Sequence, residues 1–165
     1  MAAVRWRRRL AWLLVLLVSA GTACSGAEEE EADAGQGWRR YSAAGLEAMG
    51  RGDLATAESL LTSAVEHAER HGPSDFRVAI TLNILAGFYR TTGRHAEAEP
   101  LFERALAVAE ERWGPDHPRV AMVLESYALL LGQTGRTAAA AQMAGRAAAI
   151  RRANPERADG RASRP

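Results

Sequence analysis

The chain has 165 residues, 47% of them hydrophobic and 25% charged, and carries a formal net charge of +1. Arginines and acids nearly balance, lysine is absent, and a single cysteine excludes an internal disulfide. Such a balance gives no support to nucleic-acid binding, which needs a concentrated excess of positive charge.

Residues 1–23 read as an export signal. Arg5, Arg7, Arg8 and Arg9 form a positive start, Leu10 to Val18 an apolar stretch, and Ser19 to Ala23 a run of small residues ahead of Cys24. Leu10 to Ala23 supplies 14 residues, short of the roughly 20 that a helix needs to cross a bilayer. Gly21-Thr22-Ala23-Cys24 resembles the end of a bacterial lipoprotein signal, with Gly21 where that family prefers leucine. The resemblance implies lipidation of Cys24, export to the cell envelope and a lipid anchor of more than one acyl chain, which holds stably to a membrane. Ser25 resembles an outer-membrane address where the cell has two membranes. Without the four leading arginines, 17 arginines face 20 acids, a net charge of −3.

Residues 24–37 contain Glu28, Glu29, Glu30, Glu31 and Asp33 among glycine and alanine, with nothing apolar enough to pack, so they read as a solvated tether. Fully extended, such a segment reaches about 45 Å.

Helical periodicity starts at Trp38. The first pair spans Trp38 to Met49 and Asp53 to Arg70, with Gly52 suited to a left-handed helix end and Asp53 to an N-cap. Leu54, Ala57, Leu61, Ala64, Val65 and Ala68 form one apolar stripe. Gly72-Pro73 stops that pair, and Ser74 or Asp75 caps the next. The second pair runs from Phe76 to Thr91 and from Arg94 to Arg112. In it Ala79, Leu82, Leu85, Ala86 and Tyr89 face Ala98, Phe102, Ala105 and Ala109, with alanines where helix axes approach closely. Gly114 to Pro118 repeats the stop and start, Pro118 fitting the first helical position. Trp113 falls in this connection and plugs the seam between repeats. The third pair runs from Pro118 to Thr134 and from Thr137 to Arg152, and the polar residues 153–165 form a disordered tail.

Shifted by 42 positions, the sequence matches itself: Arg70 with Arg112, Gly72-Pro73 with Gly114-Pro115, Arg77-Val78-Ala79 with Arg119-Val120-Ala121, Leu82 with Leu124, Ala86 with Ala128, Thr92-Gly93-Arg94 with Thr134-Gly135-Arg136. A fixed period of this length marks a stacked helical array. With Leu82, Leu85, Ala86, Tyr89, Gly93, Ala98, Phe102 and Ala105, it resembles the tetratricopeptide repeat in the long form of kinesin-light-chain-type arrays. The resemblance implies an all-α, right-handed superhelical solenoid of three helix pairs, about 38–71, 76–112 and 118–152, that binds another protein. It also implies a concave groove lined by the first helix of each pair. Asn83, three residues before Ala86, is its candidate for bonding an extended peptide, or else a solvated surface residue. The same register points Arg39, Ser42, Leu46, Ile80, Arg90, Met122, Glu125, Leu129 and Gln133 into the groove, with Ser42 and Glu125 where the flanking repeats would carry asparagine.

The last helix is mostly alanine, and the end of a solenoid normally needs a polar cap. Met143, Ala144, Ala147 and Ile150 are therefore candidates for an edge covered by a partner or a second copy of the chain; alternatively, the edge tolerates exposure because alanine is small. His67 and His71 have a metal-ligand spacing, but Ala68 stands where a zincin motif needs glutamate. No nucleophile motif or phosphate-cradling loop is present. The expectation is a non-enzymatic, membrane-anchored scaffold without cofactor or metal. The alternatives are a self-associating structural lipoprotein and, by analogy, an accessory lipoprotein of an envelope secretion or pilus assembly machine.

Overall fold

The computed structural model describes residues 36–155. The expected export signal, Cys24, most of the expected tether and the residues beyond Pro155 lie outside the described residues. Among those residues there are six α-helices and no strand. They are α1 (Gly37–Gly50), α2 (Leu54–Glu69), α3 (Phe76–Thr91), α4 (His95–Trp113), α5 (Pro118–Gln133) and α6 (Thr137–Ala153). In the compact unit that begins at Trp38, α3 packs closely on α4 and α5 on α6. The seams between pairs run from α2 to α3 and from α4 to α5. This is an all-α solenoid of helix pairs.

The turns inside the pairs follow from one recurring glycine, followed by arginine in the second and third pairs and by Asp53 in the first. Gly52, Gly93 and Gly135 hold φ of +79°, +79° and +78°, a left-handed conformation that costs glycine nothing. Each is followed by a residue whose N–H reaches back to close the preceding helix: Asp53 to Ala48 O (3.0 Å), Arg94 to Tyr89 O (2.8 Å) and Arg136 to Leu131 O (2.9 Å). The glycine N–H groups bond Met49, Arg90 and Gly132, which completes a Schellman motif at each turn. The connections between pairs use side-chain caps. Asp75 accepts from Arg77 N at 2.9 Å, and His117 Nδ1 accepts from Arg119 N at 3.1 Å with Pro118 at the helix start.

The same Gly-Arg arginines also tie the pairs together. The Arg94 guanidinium reaches Glu58 on α2 (2.6 Å) and Glu97 (2.6 Å), while Arg136 bonds Glu99 on α4 (Nη2–Oε2 2.9 Å). Tyr89 donates to Glu58 across one seam (2.9 Å), and Tyr127 donates to Glu99 and Glu103 across the next. Beneath these polar contacts, Leu61, Leu82, Phe102, Leu124 and Leu130 are fully buried, and Tyr127 stacks on Phe102 with ring centroids 5.7 Å apart. Ala86, Ala98, Ala105 and Ala109 are buried at the crossings, small enough to let the axes approach.

Two expectations are corrected. Trp113 is the last residue of α4 rather than part of the connection. Ala147 and Ile150 do not form an outer edge: they are 0% and 3% exposed, turned inward against the chain's own core. The face of α6 that solvent reaches carries Ala138, Ala141, Gln142, Gly145, Ala148 and Ala149 instead. A helix so rich in alanine gives the sequence almost no amphipathic contrast by which to tell its inner stripe from its outer one.

Candidate docking groove

The first helices of the second and third pairs diverge enough to leave a cavity of about 550 Å³ between them. From α3 it is lined by Ala79, Ile80, Asn83 and Ile84, and from α5 by Pro118, Arg119, Met122 and Val123. Trp113, His117 and, from α6, Arg151 complete the lining. Most of the lining is apolar, and Asn83, His117, Arg119 and Arg151 supply its polar groups.

Each polar group is positioned by the fold. Phe76 (centroids 6.5 Å apart) and His117 (5.7 Å, nearly parallel) hold the Trp113 ring, and the Arg119 guanidinium lies 5.0 Å above its centre. Stacking a guanidinium on an indole orients the charge without neutralising it. Arg151 is held in a two-point ion pair by Glu125, with Nη2–Oε2 at 2.6 Å. That hydrogen bond, and behind it the charge of Arg151, keeps the Glu125 carboxyl below the usual carboxylate range. Asn83 Oδ1 is shielded from solvent and has no hydrogen-bond donor among the described residues. A shielded amide oxygen left unpaired costs free energy that an incoming N–H would recover.

The groove thus gathers Ile80, Asn83 and Met122 of the positions expected from the sequence. The other expected positions lie elsewhere. Glu125 and Leu129 line a second cavity of about 450 Å³ between α5 and α6, with Ala128, Ala140, Ala141 and Ala144. Arg39 lies against Trp38, its guanidinium 5.2 Å from the ring centre. Ser42 is buried, and among the described residues neither its hydroxyl nor the Arg90 Nε has a hydrogen-bond partner. Gln133 is exposed at the end of α5, and Leu46 is exposed on α1. Met143 is half-buried between the two apolar clusters.

Trp113, His117, Arg119 and Arg151 were not expected at this site. Arg119 lies one helical turn before Met122, so extending the groove register by a turn would have found it. Arg151 sits on a second helix of a pair, outside any rule based on first helices; its signal is a long cation 42 positions after Ala109.

Elsewhere, the His67 ring leans on Tyr41 with centroids 4.7 Å apart, and Nδ1 is shielded with no partner among the described residues. Among the described residues no three of His, Cys, Asp or Glu converge as a metal site would require.

Stacked helix pairs with a preformed groove define a helical-repeat interaction protein. The tetratricopeptide repeat family model matches residues 41–111 and again 77–153, and the chain belongs to that family. No curated protein matches it. Repeats of this family mediate protein–protein interactions and are a non-catalytic module.

Proposed function

We propose that this chain is a membrane-anchored adaptor whose α3–α5 groove holds a peptide or helix of a protein partner. The observation that carries this reading is the groove itself: a mostly apolar lining with the Asn83 amide oxygen unpaired among the described residues and charged groups held in place beforehand. A preformed receptor surface binds without the cost of being ordered first. The 42-residue interval supports the long-period, kinesin-light-chain-type form of the repeat, and Gly21 to Cys24 supports attachment to a cell-envelope membrane through a lipid on Cys24.

The test places a photocrosslinking residue at Met122 of the full-length lipoprotein in native membranes, followed by identification of what is captured. Recurrent capture of one envelope protein, lost on Asn83→Ala while helicity and melting stay unchanged, is the expected result. Equal capture by the folded Asn83→Ala variant would move the binding face away from this groove. A second reading, self-association, draws on the alanine face of α6 that solvent reaches.

A further inference from the structure

We infer that the groove takes an acidic peptide, and that Glu125 is a built-in competitor that occupies Arg151 until the peptide's carboxylate replaces it. The inference rests on the docking reading of the same groove. Its first support is charge: the lining contains two arginines and no acid. Arg119 is exposed, aligned by Trp113, and paired with no carboxylate among the described residues. Arg151 is paired, but by a residue that stands outside the cavity lining.

The second support is the place of the pair in the repeat. Glu125 stands 42 residues after Asn83, and Arg151 stands 42 after Ala109. The repeat before therefore has neither charge. Nor does the pair tie one helix pair to the next, as Arg94–Glu58 and Arg136–Glu99 do; it joins α5 to α6, which already pack closely. Both side chains stay near solvent, with 39% and 42% of their surface exposed, so one carboxylate can exchange for another without opening the core. The consequence is a filter. A ligand with one acid can use Arg119 alone, whereas a ligand with two suitably spaced acids also displaces Glu125.

Short random peptides would be selected by phage display against the full-length chain and against its Glu125→Gln variant. Binding would then be measured by fluorescence polarisation to both, to Arg151→Gln and to the double variant, with helicity confirming that each is folded. The expected peptides carry an excess of Asp and Glu and alter an emission that is missing in Trp113→Phe. Glu125→Gln tightens their binding about two- to fivefold, the range set by freeing a half-exposed ion pair. Arg151→Gln weakens it, and in that background Glu125→Gln has no effect.

Peptides without acidic excess that still alter Trp113 emission would overturn this inference and leave the docking groove standing. Acidic peptides that bind wild type and Glu125→Gln equally would remove the competitor role. If no selected peptide touched Trp113, the groove reading would fall with it.

Discussion

Gly114 holds φ +83° and ψ 158°, a region that essentially only glycine enters. An alanine there has open space for its Cβ but not an unstrained backbone. Gly87, inside α3, differs in one respect only: an added Cβ again meets nothing within 4 Å, and the backbone is helical. Gly114→Ala is therefore expected to lower stability by about 1–3 kcal/mol, and Gly87→Ala to raise it by about 0.5–1 kcal/mol. Chemical denaturation of the two variants would show opposite signs, and two losses would contradict the backbone argument. At this scale the sequence was legible wherever a residue type dictates one conformation. Asp53, Asp75 and Pro118 sit at helix starts as their chemistry requires. It was not legible where a long side chain chooses among destinations: nothing in the sequence says that Arg151 leans toward α5 rather than into solvent.

Between elements, the seams are apolar cores under polar straps, and the straps titrate in one sense at each end of the pH scale. Hydrogen bonds from Arg94 to Glu58 and from Arg136 to Glu99, then the charges behind them, hold both carboxyls below their usual range. Their folded values lie under their unfolded ones. The stability they contribute is thus complete above the ordinary carboxylate range and is lost as pH falls through the depressed values. Tyr127 moves the other way. Burial, with Glu103 and Glu99 beside it, pushes its hydroxyl up to about 12. Its share is complete below the unfolded value of about 10 and is lost as pH rises from there toward about 12. Melting temperature measured against pH is expected to fall at both ends. Arg94→Gln with Arg136→Gln should flatten the acid side, and Tyr127→Phe the alkaline side; unchanged curves in these variants would mean that the seams do not depend on these groups. Pair boundaries were readable from the Gly-Pro and Gly-Arg dipeptides to within a residue or two, because each marks a turn that only certain residues can make. The straps were not, since they join residues 36 and 37 positions apart, and nothing in sequence order announces which glutamate an arginine will find.

For the whole molecule, the open question is how the alanine-rich end behaves. Ala144 and Ala141 border the second cavity and are exposed, whereas Ala147 is sealed inside. Ala147→Glu would therefore bury a charge and unfold the helix rather than test an interface. The informative variant is Ala141→Glu. If copies of the chain meet through this face, the wild type shows a mass that rises with concentration in analytical ultracentrifugation and the variant does not. A monomeric wild type at every concentration would leave the face a tolerated, alanine-covered surface. The fold as a whole was legible because its period repeats its own punctuation. The site was only partly so, because a groove is made by two helices 42 residues apart plus whatever third element reaches in.

The arginine straps have one further implication. Every cation at the seams and in the groove is a guanidinium, and the sequence contains no lysine at all. Acylation of side-chain amines, a common way to erase positive charge, has no target in it, and amine-reactive labels find no side chain to attach to. A guanidinium also keeps its proton throughout the range in which proteins stay folded. Control of these contacts is thereby left to the anionic side alone: to protons reaching the glutamates, to dissolved salt, or to another carboxylate arriving from outside.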